Sequence, residues 1–207
     1  MNLKRWFFLF WSSMAVGAFV CVVTGAIMQL ADPEFGFLGF KAAGFNVLMM
    51  AMVGLMIGAF SQMGFFAYLT LNYIALSVFG KQYLWNALQG YTTVFAAIGL
   101  GYLLYEKHLN NWFFWVLPLL LVLLSALVTQ LKVKQTNKSA LVPTMFLMVV
   151  ITFIESWPAI KGDTNVLAII FMIVPLFVCN AYQIMLMHRL TKKEATDSSA
   201  VAAKPVA

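Results

Sequence analysis

Few side chains in this sequence could do chemistry. Glu155 is a carboxylate inside a long apolar stretch, in the run Thr152-Phe153-Ile154-Glu155-Ser156-Trp157-Pro158. An acid at membrane depth is costly. It marks a proton, ion or substrate path, or it pairs with a snorkelling lysine such as Lys41 or Lys161. Amides form a second group: Gln62 alone, Asn86 with Gln89, and Asn180 with Gln183, each pair three residues apart on one helix face. Counted at about 1.5 Å per residue from the inner helix ends, the two pairs lie about 5–12 Å deep. Glu155, about 22 Å from Ala140, falls in the outer third. Amides in hydrocarbon need partners, so the layer is either interhelical glue or the lining of a small polar cavity or docking surface. The remaining candidates are sparse. His108 and His188 are far apart, and Cys21 and Cys179 lie in apolar runs outside any CxxC or Cys/His ligand spacing. No HExxH, GxSxG or P-loop occurs, and no carboxylate pair shares a helix face within an apolar run. The expectation is a protein that is not an enzyme, with no metal and no cofactor, whose cysteines are buried, unbridged small hydrophobes.

The elements that position these groups follow from composition. Of 207 residues, 63% are hydrophobic and 10% charged. Soluble domains run near 25% charged. Too few charges remain to hydrate a globule of this size, which excludes a soluble enzyme, a disordered chain and a nucleic-acid module. The net charge of +6 is explained by topology below. Uncharged windows cover Trp6–Ala31, Ala42–Gly80, Gln82–Tyr105, Leu109–Leu131, Ser139–Ile154 and Thr164–Met187. A crossing needs about 20 apolar residues. Most of the windows are one crossing long; Ser139–Ile154 reaches that length by continuing to Ile160.

Ala42–Gly80 is nearly twice that length. It holds either two spans divided near Ser61-Gln62-Met63-Gly64, or one span plus a shorter piece. Charge separates the options, because inner loops concentrate Lys and Arg. With six spans and the N-terminus inside, the inner face holds Lys4, Arg5, Lys81, Lys132, Lys134, Lys138, Arg189, Lys192, Lys193 and Lys204, and the outer face only Lys41, Lys107 and Lys161. Seven spans would put the basic segments on opposite sides. The expectation is therefore an all-α polytopic membrane protein. It has six transmembrane helices, both termini cytoplasmic, and Phe65–Phe79 as a short interfacial or re-entrant helix on the cytoplasmic side. Residues 1–190 form one transmembrane domain and 191–207 a disordered cytoplasmic tail. The first apolar run is too long for a signal peptide and is expected to remain uncleaved.

Packing signals are also present. Gly54 and Gly58 form a GxxxG, and Gly17, Cys21 and Gly25 repeat a small residue every four. Such stripes allow close helix approach, expected here within one chain. Pro118 and Pro175 are expected to kink the fourth and sixth spans.

Three strings carry a resemblance: Ser61-Gln62-Met63-Gly64-Phe65-Phe66-Ala67-Tyr68-Leu69-Thr70; Lys132-Val133-Lys134-Gln135-Thr136-Asn137-Lys138 with Pro143; and Asn180-Ala181-Tyr182-Gln183 closing with His188-Arg189-Leu190. Trp85-Asn86-Ala87 is a weaker fourth. The chain resembles the KinB-signalling-pathway activation (KbaA) family. The resemblance implies a bacterial inner-membrane protein of spore formers, needed for activity of a membrane sensor histidine kinase that feeds the sporulation phosphorelay. It implies the kinase and membrane lipids as partners, and no nucleic acid. It marks Gln62, Tyr68, Lys132, Lys134, Lys138, Asn180, Gln183, His188 and Arg189 as candidate contacts, beside Asn86, Gln89 and Glu155 from the residues themselves. The rival reading is a small transporter or lipid-handling protein that affects the kinase indirectly, with Glu155 and the amides lining a path for a small ligand or lipid.

Overall fold

The computed structural model describes residues 3–31, 43–108, 115–162 and 166–202. These form α1 (Leu3–Ala31), α2 (Ala43–Phe79), α3 (Gln82–His108), α4 (Val116–Gln135), α5 (Leu141–Phe146), α6 (Thr152–Lys161) and α7 (Val166–Ala202). A 3-10 turn, Lys138–Ala140, precedes α5, and a π-helical turn, Leu147–Ile151, joins α5 to α6, so these pieces make one crossing. No strand occurs among the described residues. Hydrocarbon offers no hydrogen bonds to an open backbone, so apolar segments close their own. Six of the resulting helices are long and apolar enough to cross a membrane.

The fifth crossing is central. Half of its apolar window, 50%, is buried, against 22% for the first and third. Its π turn is buried all round, from Leu147 to Ile151. It packs against α2, α3, α4 and α7. Its Phe146 packs with Leu9, Phe65 and Tyr68 in one apolar cluster, and its Ile160 with Leu100, Leu104, Leu121, Ile169 and Ile173 in a second.

The small-residue stripes meet face to face within the chain. A Cβ on Gly54 would stand 2.5 Å from the Gly17 carbonyl oxygen and 2.6 Å from the Ala18 Cα. One on Gly58 would stand 2.7 Å from the Met14 Cα. Only glycine lets α1 and α2 approach so closely.

The expected separate helix over Phe65–Phe79 is instead the last four turns of α2, a single helix of 37 residues. Gly64 does not break it. The chain turns at Gly80, whose φ of 62° suits glycine, and whose N–H closes on the Leu76 carbonyl at 3.2 Å. At about 1.5 Å per residue α2 is about 55 Å long, well beyond the about 30 Å of hydrocarbon. Its far end is fastened to α3. Trp85 Nε1 donates to Asn72 Oδ1 at 2.8 Å, and the Trp85 ring stacks on Phe79 and tilts against Phe146.

Pro118 lies in the first turn of α4, where its missing N–H interrupts no helical bond. It therefore does not kink the span. Pro175 is inside α7. Helix α7 runs beyond Leu190 to Ala202, and residues 203–207 lie outside the described residues.

Candidate functional site

A chain of polar side chains crosses the bundle from α1 to α6. Gln183 Nε2 donates to Ser13 Oγ at 2.6 Å and to Ser61 Oγ at 2.8 Å. Ser61 Oγ donates to Asn180 Oδ1 at 2.9 Å. Asn180 Nδ2 donates to Thr152 Oγ1 at 3.0 Å and to Glu155 Oε2 at 2.8 Å. Four elements, α1, α2, α6 and α7, are thus joined by one network. Ser13, Ser61, Thr152, Asn180 and Gln183 are all fully buried.

Local structure explains each position. Ser13 lies one turn before Gly17, on the stripe that meets α2. Ser61 lies three residues after Gly58, on the face that α1 and α7 cover. Asn180 and Gln183, three apart, present both amides to the same side of α7. Thr152 and Glu155 follow the π turn, and such turns re-aim the side chains after them and are frequent at functional sites. Gly64 makes room for the acid: a side chain there would overlap Glu155 Oε1 and crowd Ile151. Glu155 Oε1 and Gln183 Oε1 are buried without a hydrogen-bond partner.

The expected depths of the two groups are corrected by this contact. Glu155 is not a layer apart from the amides but bonded to Asn180. Counting residues along each helix separately does not give the shift of the fifth crossing relative to α7, which the Asn180–Glu155 bond fixes. Of the two proposed lysine partners, Lys161 lies at the exposed end of α6, and Lys41 is outside the described residues.

The remaining amides sit elsewhere. Gln62 and Gln89 are buried, and their side chains close no hydrogen bond of standard geometry, although the Tyr68 hydroxyl approaches Gln89. Asn86 is half-buried beside Trp85. Sequence reasoning missed Ser13, Ser61, Thr152 and Gly64 as site residues.

A second set of contacts defines one end of the bundle. Arg5 donates to the Leu190 carbonyl at 3.1 Å, so the start of α1 lies beside α7 at Leu190. Lys132 is buried and turns inward, its Nζ donating to the Ile184 carbonyl at 2.7 Å. Lys134, Lys138 and Arg189 are exposed, and His188 is half-buried. The basic residues at the end of α4, in the 3-10 turn before α5 and on α7 therefore gather at the end where α1 begins.

A family model described as KinB-signalling pathway activation in sporulation, KbaA, matches residues 17–190. The chain belongs to the KbaA family. A relative from Bacillus subtilis (strain 168), the KinB-signaling pathway activation protein, is 34% identical over 199 residues, which is 93% of this chain and 98% of the relative. No solved structure matches the chain. On the fold, the strings that resemble KbaA proteins come together. Ser61 of the first bonds Asn180 and Gln183 of the third, and Lys132 of the second bonds the carbonyl of Ile184, between the two parts of the third. Ser13, which closes the network on α1, lies before the KbaA match begins.

Proposed function

We propose that this protein activates the KinB signalling pathway of sporulation as an integral partner of a membrane sensor histidine kinase. It acts in the bacterial inner membrane with both termini in the cytoplasm, by helix contacts within the bilayer and by its basic cytoplasmic end. It catalyses no reaction of its own. The observation that carries this reading is that the strings resembling the KbaA family converge, through Ser61, Lys132, Asn180 and Gln183, on the half of the bundle that bears the exposed cations Lys134, Lys138 and Arg189.

An activator shifts a kinase only if it binds the active and inactive states with different affinity. A bundle pinned by a buried network presents one fixed face, which can fit one state better than another. Anionic lipid also attracts such a rim, at about 1 kcal/mol per basic residue near the surface. Two variants separate the roles. Replacing Lys134, Lys138 and Arg189 together with glutamine is expected to lower pathway output while membrane abundance stays normal. Moving the same charges by one or two positions is expected to lower it too, since a protein contact is position-specific and a lipid contact is not. Full output from the neutralised variant at normal abundance refutes the rim contact.

Glu155 favours a second reading. Its unpartnered oxygen suits a small transporter or lipid-handling protein that reaches the kinase through what it delivers. Activation of the kinase with no other component present would exclude that route.

A further inference from the structure

We propose that Glu155, with the amides and hydroxyls gathered round it, forms an intramembrane binding site for a small monovalent cation, either a proton or a sodium ion. The site goes beyond the kinase reading and stands or falls without it.

The argument starts from unmet valence. Glu155 Oε2 accepts from Asn180, while Oε1 is pressed towards Gly64 and closes no hydrogen bond. Gln183 Oε1, on a residue three hydrogen bonds away along the same network, is also without a donor. A network assembled from four elements thus ends on two unfilled acceptors, one of them a carboxylate. Leaving a buried carboxylate uncompensated is far more costly than leaving an amide so.

The bundle supplies no cation along these spans. From Trp6 to Ala31, through all of α2, and from Val166 to Met187 there is no Lys, Arg or His. Lys161 lies six residues on from Glu155, at the exposed end of its own helix. Among the described side chains, the titratable groups on the elements packed against α6 are Tyr68 and Tyr73 on α2, Tyr83, Tyr91, Tyr102, Tyr105 and Glu106 on α3, and Cys179, Tyr182, His188 and Arg189 on α7. The basic ones, His188 and Arg189, follow Asn180 by eight and nine residues, about 12 Å or more along α7; the others are neutral or acidic.

The chemistry of the donor set selects the ligand. Carboxylate, hydroxyl and amide oxygens suit hard cations. One carboxylate balances one unit charge; a divalent ion would leave a net positive charge buried in a medium that penalises it. A proton on Oε1 would neutralise the acid where it stands. Sodium would draw on Glu155 with the Gln183 and Asn180 carbonyls and the neighbouring hydroxyls, after a rotation of the Asn180 amide.

The test uses the full chain purified into lipid nanodiscs, its unfolding midpoint followed against NaCl at constant ionic strength with choline chloride, and against pH. A ligand that binds the folded bundle stabilises it by mass action. The midpoint is expected to rise by roughly 3–5 °C for each tenfold increase in that cation above its dissociation constant. A rise with sodium identifies the metal ion. A rise with falling pH and no salt effect identifies the proton. Either dependence is expected to disappear in Glu155→Gln, which carries no charge to compensate. Should Glu155→Gln fail to insert, wild-type protein suffices. Direct ²²Na⁺ binding, or the infrared band of a protonated carboxyl at neutral pH in protein labelled with ¹³C-glutamate, reports the same occupancy. A midpoint insensitive to both cations, a dependence retained in Glu155→Gln, or the absence of both wild-type signals overturns the proposal.

Discussion

Replacing Asn180 with alanine removes the residue on which the buried network turns. Asn180 accepts from Ser61 and donates to Thr152 and Glu155, at 2.9, 3.0 and 2.8 Å. Hydrogen bonds between membrane helices average about 0.6 kcal/mol and reach about 1.7, so three are worth about 2 kcal/mol. The substitution also strips the Glu155 carboxylate of the Asn180 donor, and an unsatisfied buried group costs about 1–3 kcal/mol. The expected loss is about 3–5 kcal/mol. Thr152→Val, which keeps shape and removes one hydroxyl, is expected to cost about 0.5–1 kcal/mol. Because the two residues share a bond, the double variant should fall short of the sum by roughly 0.6 kcal/mol or more. Equilibrium unfolding in mixed micelles, followed by circular dichroism, measures all three. A loss below about 0.5 kcal/mol for Asn180→Ala, the level of a neutral surface change, would refute the network. Strict additivity would refute the Asn180–Thr152 bond.

Other perturbations test the frame around it. Gly54→Ala places a Cβ against the Gly17 oxygen and Ala18 Cα, backbone atoms that cannot step aside, and is expected to cost about 1–3 kcal/mol in the same assay; unchanged stability would mean that α1 and α2 do not meet there. Trp85→Phe keeps the ring against Phe79 and Phe146 but leaves Asn72 without its donor, a loss of about 1 kcal/mol that should vanish when Asn72 is already alanine. Lys134→Cys is expected to react with an impermeant thiol reagent only after cells are opened, and labelling of intact cells would contradict the cytoplasmic placement of the basic end.

The spans were legible because charge is excluded from them, and the count of six followed from where Lys and Arg fall. The continuity of α2 was not legible. Ser61-Gln62-Met63-Gly64 carries the polar and glycine residues of a turn, yet in the bundle Ser61 bonds α7 and Gly64 yields space to Glu155, so the helix runs through. The pairing of Asn180 with Gln183 on one face was read correctly from their spacing. Their contact with Glu155 depends on how α6 lies after the π turn, which no residue count along one helix contains. Ser13 extends the repeat Gly17, Cys21, Gly25 by one step, and that register was the available signal for it. Lys132 looked like part of a basic rim, but its position three residues after Thr129 and seven after Ser125 places it on the buried face of α4.

The central claim is direct action on the kinase. The most direct measurement is autophosphorylation of the purified sensor kinase in liposomes of fixed lipid composition, with and without this protein at matched density and orientation. The account predicts that the rate rises when the protein is present and no other component is added, and that the rise shrinks when Lys134, Lys138 and Arg189 are all glutamine. An identical rate with and without the protein would contradict it.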